Sequence, residues 1–374
     1  MFLDPFPTRI LKTENNPCLP GAPLHQTTSG YNGYAHRTSP ASTKTLRLLR
    51  QARPISSLFP LQGGVLLYPR ASSLDRDHHK RSCNKIAKTR EKVDVEERRL
   101  RESPADLFLV ENVFETKVGH FSGIPGTHEY LWARTAFILA LLEVNTLESV
   151  QTQLAESRDL LRLCRCDTKP TSSTMPGMMM RLGLDQECYD FVKWFETSGQ
   201  DSDYDWGDMD SPFLDIKDAD VFEPVDYLCQ EFPDLGFISS VLLLKVKLLL
   251  DLKDLQNSTL AIGAKLPPEL LHNVRSHLVR SPIIANNRRL LEREEHMEAI
   301  DSLTIQVSDL FLAIDEYNDY FWDCMLDPEP YLDECPTCCQ APGMSEVMIM
   351  FKYIYPSWQE TPGAMDYIEE LMYM

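Results

Sequence analysis

One run of apolar residues near the C-terminal end constrains the fold most strongly, because its spacing is that of a helix face. Eight such residues follow one another at alternating steps of three and four: Ile300, Leu303, Val307, Leu310, Ile314, Tyr317, Phe321 and Cys324. This spacing places them on one stripe of an α-helix, and it predicts a helix over about residues 287–325. The stripe is also a heptad seam, which a coiled coil would use. We favour a core-facing helix, since the same pattern usually marks burial in a compact helical protein.

Further segments with helical spacing lie at about residues 130–144, 147–164, 175–181, 186–198, 224–231, 236–256, 268–279, 345–355 and 362–372. The turn between the first two is so short that they should form an antiparallel hairpin. No convincing run of alternating apolar and polar residues predicts strands in residues 105–374. The sequence therefore predicts a mainly α fold, an irregular array of antiparallel helical hairpins. A tetratricopeptide-like solenoid is the expected arrangement, although the period is not regular enough to define a consensus.

Charge divides the chain into two parts. Residues 1–104 hold 18 Lys and Arg against 9 Asp and Glu, a net charge of +9, whereas the remainder holds 19 against 47, a net charge of −28. The first part is rich in Pro and Ser and predicts a largely disordered basic arm, in which residues 77–101 could form a solvated helix. Residues 105–374 predict an acidic, all-helical domain. Its charge disfavours nucleic acid and anionic membrane surfaces, and it suits a protein partner with a basic segment.

Neither a membrane span nor a secretory leader is expected. The most apolar stretch, residues 241–250, is interrupted by Lys245 and Lys247 and falls short of the roughly 20 residues that a span needs. The first residues lack a charged leader followed by an apolar run. We therefore expect an intracellular protein, cytoplasmic or nuclear, whose ten cysteines are reduced thiols.

An acidic segment over residues 201–226, the acidic connector, carries aromatic residues among its carboxylates. The commonest meaning of such an acidic run is a solvated loop, but disordered acidic tracts usually lack aromatics. We predict an ordered connector in which Tyr204, Trp206 and Phe213 pack onto the helices while the carboxylates face solvent. Such a surface would dock a Lys- and Arg-rich partner. The residues predicted to bind it are Asp203, Asp205, Trp206, Asp208 and Asp210.

Cysteines near the C-terminal end are the candidate metal ligands. Cys335, Cys338 and Cys339 share a proline-containing loop, and Cys324 precedes them. Four thiolates could hold a tetrahedral zinc ion. A lone C-x-x-C pair is also what a loop that happens to be Cys-rich would contain, and this is the more frequent meaning.

Several segments resemble a group of uncharacterised fungal proteins of helical-repeat type. They are residues 160–165, 181–194, 203–210, 213–225 and 360–366, and the resemblance extends over about residues 111–374. Some members are labelled MYND-type zinc finger proteins. That finger needs seven Cys and one His in closely spaced pairs, and this chain offers only the pair at residues 335 and 338. The resemblance implies a helical fold and no known reaction.

Catalytic signatures are missing from the sequence. It contains no G-x-S-x-G, no phosphate-binding Gly-rich loop with Lys, no H-E-x-x-H and no kinase signature set. We therefore interpret the protein as a non-catalytic helical scaffold for protein interaction. The alternative is a zinc-binding regulatory protein, or an enzyme whose site is assembled from distant positions. A concave pocket with converging polar, titratable residues would favour the enzyme, and a broad open groove would favour the scaffold.

Overall fold

The computed structural model describes residues 69–166, 171–262, 266–332 and 341–373. The chain divides into two units, of which one contains residues 80–374 and the other residues 10–79. Of the second unit only the helical course of residues 69–79 is described. In the described residues the protein is mainly helical and has no β-strand.

The described residues form fourteen α-helices. They are α1 (Pro69–Glu102), α2 (Val113–Thr116), α3 (His128–Leu141), α4 (Leu147–Leu163), α5 (Thr171–Arg181), α6 (Asp185–Glu196), α7 (Leu235–Ile262), α8 (Pro268–Leu278), α9 (Pro282–Ala285), α10 (Arg288–Glu292), α11 (Met297–Tyr317), α12 (Phe321–Leu326), α13 (Met344–Gln359) and α14 (Ala364–Met372). The acidic connector joins α6 to α7 through turns.

Helix α7 is the centre of the larger hydrophobic cluster. Its apolar residues from Phe237 to Leu249 are almost completely buried, because α5, α6, α11 and α13 all pack against it. Asp234 caps its start, where the Oδ1 atom accepts the backbone N–H groups of Gly236 and Phe237. Burial of each large apolar side chain contributes roughly 1.5–3 kcal/mol. The core therefore lies around the first half of one helix, which is covered on all sides.

Two glycines set how closely the helices around α5 approach. A Cβ atom on Gly236 would lie 2.0 Å from the backbone oxygen of Ser173, and one on Gly177 would lie 2.2 Å from that of Tyr353. Neither distance is possible for a real side chain, so α5 contacts α7 and α13 backbone to backbone. This fixes α5, and with it the start of α6, relative to the core.

The hairpin predicted over residues 130–144 and 147–164 is present as α3 and α4. In α3, Tyr130, Ala133 and Phe137 follow one another at steps of three and four and are buried. The Thr146 side chain accepts the N–H of Ser149 and so caps α4. Consecutive helices α3, α4, α5 and α6 pack against one another in series. The tetratricopeptide-like arrangement stays a prediction.

The seam from Ile300 to Ile314 faces the core, as predicted. Leu310 and Ile314 are fully buried where α11 packs along α7. The single helix predicted over residues 287–325 is wrong, however, since α10, α11 and α12 are separate. Asn318 is extended, and its side chain accepts the N–H of Tyr320 and donates to the Gly343 carbonyl. The chain turns there although the apolar spacing continues through the break.

Two other predictions differ from the structure. Residues 224–231 form turns rather than a helix. The charged segment at residues 77–101 is helical, but it is not fully solvated: Val93 and Leu100 of α1 are buried in a second hydrophobic cluster with Phe121 and Tyr130. Val93 and Leu100, seven residues apart, therefore pack this part of the predicted arm against residues of the predicted helical domain. Residues 1–68 lie outside the described residues.

Candidate functional site

The acidic connector is anchored to α6 by a cluster of rings around Trp194. This fully buried ring lies 5.4 Å from Tyr204, 5.8 Å from Trp206 and 4.9 Å from Phe213, each in an edge-to-face arrangement. Its indole N–H donates to Asp215 at 3.0 Å. Aromatic pairs in this geometry contribute about 0.5–1.5 kcal/mol beyond their burial. The predicted anchoring by the three connector aromatics is confirmed.

Arg165, just after α4, joins the connector to the body from the other side. Its guanidinium donates to the backbone oxygens of Asp208, at 2.8 Å, and Ser211, and to the Tyr204 hydroxyl at 2.5 Å. It also lies over the Phe213 ring, 4.6 Å from the centroid. The side chain is only 4% exposed. One cation thus fixes three points of the connector, and sequence reasoning did not identify it.

The carboxylates predicted to bind a partner lie on the outer side of this anchored segment, at Asp203, Asp205, Asp208 and Asp210. Several hold the turns in place: Asp205 accepts the N–H of Gly207 at 2.8 Å, and Asp208 accepts that of Asp210 at 3.0 Å. This backbone hydrogen bond, the Ser211 hydroxyl and the nearby Arg165 lower the pKa of Asp208. Trp206 is half-buried in the ring cluster, which makes it an anchor. The binding role of these five residues stays a prediction.

The second half of the connector is held by Lys245 of α7. This fully buried ammonium donates to the backbone oxygens of Val221, at 2.6 Å, and Glu223, at 3.0 Å. Burial lowers the pKa of Lys245 to about 7, against the opposing effect of Glu223 and Asp220. Lys245, which interrupts the apolar stretch of residues 241–250, therefore stabilises the second half of the connector.

Beside this half lies an open groove of about 960 Å³, the acidic groove, between residues 224–231 and α11. A second stripe of α11, distinct from the buried seam, forms one wall with Ile305, Asp309, Leu312 and Glu316. Ile305 is 62% and Leu312 54% exposed. The opposite wall adds Asp226, Cys229 and Glu231. Apolar side chains are therefore presented to solvent between carboxylates.

A smaller cleft of about 560 Å³, the arginine cleft, lies between α4, α5, α6 and the start of the connector. Its charged lining consists of Arg158, Arg162, Arg165 and Glu187, and its apolar lining includes Met175, Met179, Phe191 and Phe213. Arg158 pairs with Glu187, and Arg162 pairs with Asp159. The lining thus carries a net charge of +2 within a strongly acidic region.

Of the four candidate zinc ligands, Cys335, Cys338 and Cys339 lie outside the described residues. Cys324 is buried, and its Sγ lies 3.6 Å from the Sδ of Met344. Burial, together with Asp323, raises the pKa of the Cys324 thiol to about 11. Within the described ranges no group of three His, Cys, Asp or Glu side chains is placed to hold a metal ion. The zinc site stays a prediction.

Several buried charged groups hold the core together. Asp185 is buried, pairs with Lys247 at 2.9 Å and accepts the Ser281 hydroxyl at 2.8 Å. Asp251, also fully buried, pairs with Arg280 at 3.1 Å. These carboxylates are enclosed by protein and saturated by donors, so a substrate has no access to them.

Comparison of the chain with protein-family models, with curated proteins and with solved structures found no match. Among the helices that the structure describes, none is both long and apolar enough to cross a bilayer.

Proposed function

We propose that the protein is a non-catalytic helical scaffold whose acidic groove binds a basic, amphipathic helix of a protein partner. The observation that supports this most directly is the exposed stripe on α11, in which apolar and acidic residues alternate. Large exposed apolar side chains bordered by polar ones are characteristic of interaction surfaces. The open shape of the groove also favours a macromolecular segment over an enclosed small substrate.

The spacing of the stripe indicates which partner fits. Ile305 and Leu312 are seven residues apart, so they lie about 10.5 Å apart along the helix axis, and Asp309 and Glu316 repeat the same interval. A partner helix with apolar residues at i and i+7 would place them against this pair. Lys or Arg beside those residues would meet carboxylates on both walls of the groove. The class of partner is therefore basic and amphipathic.

The acidic connector has a part in the same proposal. Its exposed carboxylates extend the negative surface beyond the groove, which would steer a cationic segment and raise its association rate. Such steering weakens as salt rises, because the Debye length is only about 8 Å at physiological ionic strength.

The arrangement of the helices and the cellular location of the protein are also part of the proposal. The serial packing of α3 to α6 supports a tetratricopeptide-like array of hairpins, and the likeness to the fungal helical-repeat group agrees with a scaffold. An intracellular setting, cytoplasmic or nuclear, would suit the reduced cysteines. For the zinc-dependent alternative, the described residues place no group of three His, Cys, Asp or Glu side chains to hold a metal ion, and Cys335, Cys338 and Cys339 lie outside them.

Titration of the full chain with a labelled helical peptide of about twenty residues tests the proposal. The peptide carries leucines seven residues apart flanked by lysines, and a second version replaces the lysines with glutamates. We expect the basic version to bind in a salt-dependent manner and the acidic version not to bind. The double change Ile305→Ser and Leu312→Ser should weaken binding at least about tenfold. The matched control, Leu270→Ser and Leu278→Ser, alters two exposed leucines of α8 that lie eight residues apart and should not weaken binding.

The exposed Cys229 in the groove provides an independent readout. Its alkylation by a maleimide should slow when the basic peptide is bound, whereas alkylation of the exposed Cys83 on α1 should not. Equal binding of both peptides, or an equal effect of the α8 control, would refute the groove as the docking site.

A further inference from the structure

We propose that the arginine cleft binds a small carboxylate with an apolar body, such as a medium-chain fatty acid or an aromatic acid. This site is separate from the acidic groove and does not depend on the function proposed for it. Its volume of about 560 Å³ lies within the range of about 300–1,000 Å³ that small-molecule sites occupy.

The charge of the lining is the first reason. Arg158 and Arg162 are one helical turn apart on α4, and Arg165 follows the end of that helix. Among the lining residues that the structure describes, Glu187 is the one acidic residue. Residues 105–374 hold more than twice as many acidic as basic residues, so three arginines on one cleft stand apart from their surroundings. A guanidinium presents a planar fork of donors that matches a carboxylate.

The burial of Arg165 without a paired carboxylate is the second, independent reason to expect an anion in the cleft. The side chain is 4% exposed, yet its hydrogen-bond acceptors among the described residues are two backbone oxygens and a phenol, all without formal charge. Within the described part of the chain no carboxylate lies within ion-pair distance of it, and its buried Nε has no acceptor. A buried cation that no carboxylate pairs with is costly, although the Asp208 carboxylate lies near enough for the two charges to interact. An anion in the cleft would lower that cost.

The apolar lining supplies the third reason and defines the body of the ligand. Met175 and Met179 of α5, Phe191 of α6 and Phe213 of the connector line the cleft. Methionine side chains adapt to differently shaped apolar partners. An inorganic anion would leave these walls without a partner. The ligand therefore needs an anionic head and an apolar body together.

The ion pair between Arg158 and Glu187 leads to a prediction of opposite sign: loss of the Glu187 charge should strengthen ligand binding, whereas loss of an arginine should weaken it. The Glu187 carboxylate pairs with Arg158, so it competes with the head of the ligand for this guanidinium. Glu187→Gln removes the competitor and a repelling charge at once, and it should tighten binding. Among the described residues, Arg162 pairs only with Asp159, three residues earlier on the same helix. Arg162→Gln therefore removes a ligand donor without breaking a described contact between helices.

The experiment uses the full chain and measures displacement of the fluorescent dye anilinonaphthalene sulfonate by decanoate, by decanol and by inorganic phosphate. We expect decanoate to displace the dye, and decanol and phosphate to do so at least about tenfold more weakly, since hydrogen bonds to charged groups are worth that factor or more. Arg162→Gln should raise the Kd of decanoate about tenfold, and Glu187→Gln should lower it. The matched control Arg288→Gln breaks a similar surface pair with Glu292 outside the cleft and should leave the Kd unchanged.

Thermal melts establish that each variant is folded, and Arg158→Gln replaces Arg162→Gln if that variant does not fold. Equal displacement by decanoate and decanol would overturn the proposal, as would the same Kd for Arg162→Gln and Arg288→Gln. Weaker binding by Glu187→Gln would also overturn it, since the competition described above requires the opposite.

Discussion

Replacing Arg165 by methionine would test how the acidic connector is held. Methionine keeps much of the apolar volume beside Phe213 but removes the charge and all three hydrogen bonds, to Asp208, Ser211 and Tyr204. The ring cluster around Trp194 would remain. We therefore expect the connector to open locally while the helical core stays folded.

The magnitude follows from the hydrogen bonds that are lost. A bond from a charged donor contributes about 1.5–3 kcal/mol. The acceptors at Asp208 and Ser211 lie on exposed or half-exposed residues, so water replaces much of what is lost there. A net decrease of about 2–4 kcal/mol in the free energy of opening is the result. This corresponds to exchange roughly 30 to 1,000 times faster.

Hydrogen exchange read by mass spectrometry measures this directly. The amides of Tyr204, Asp208 and Ser211 donate to backbone oxygens within the connector and report its opening, while peptides from α7 report the core. Arg162→Met is the matched control, since the one ion pair of Arg162 in the described ranges is with Asp159. If connector exchange were the same in both variants, or if α7 exchanged faster in Arg165→Met, Arg165 would not be the local anchor described above.

Two further predictions concern the core. Leu310→Ala should lower the free energy of unfolding by about 2–5 kcal/mol, because the side chain is fully buried against α7. Urea melts measure the loss. If sedimentation instead showed that the variant dissociates a dimer while its stability is unchanged, the prediction would be wrong. Burial raises the pKa of Glu346 to about 7, against the hydrogen bonds from Tyr317 and Asn318. The folded protein then keeps a proton that the unfolded chain loses above about pH 4.3, so this group stabilises the protein in acid and the stability is lost as pH rises through 7. Glu346→Gln should remove about 3 kcal/mol of that pH dependence, as urea melts at pH 5 and pH 8 measure, and an unchanged slope would show that Glu346 does not cause it.

The sequence predicted those parts of the fold that depend on local periodicity. The seam at Leu310 and Ile314 and the buried face of α3 follow from the spacing of apolar residues alone. The break at Asn318 does not, because the apolar spacing continues on both sides of it. What ends α11 is a set of hydrogen bonds from Asn318 to residues about 25 positions later. No local pattern contains that information.

In the candidate sites, too, local sequence patterns predicted some features, whereas features that depend on distant contacts were missed. Rings turned inward and carboxylates turned outward could be predicted in the connector, because aromatic and acidic residues alternate there. Arg165 could not, since its acceptors are about forty residues away and two of them are backbone atoms. The acidic groove was missed for a related reason: Ile305 and Leu312 lie off the buried seam, and their exposure depends on which face of α11 meets α7.

The burial of the first half of α7 on every side has a consequence for how the chain is made. This helix leaves the ribosome before α11 and α13, which cover it, and the end of α13 is synthesised about 97 residues after the end of α7. At a synthesis rate of about 5–20 residues per second, the leucines of α7 therefore stay uncovered for roughly 5–20 seconds before α13 is complete. During translation the most apolar segment of the molecule is therefore a natural client for a chaperone that binds extended hydrophobic chain, and a ribosome that stalls between residues 262 and 297 would leave this segment uncovered.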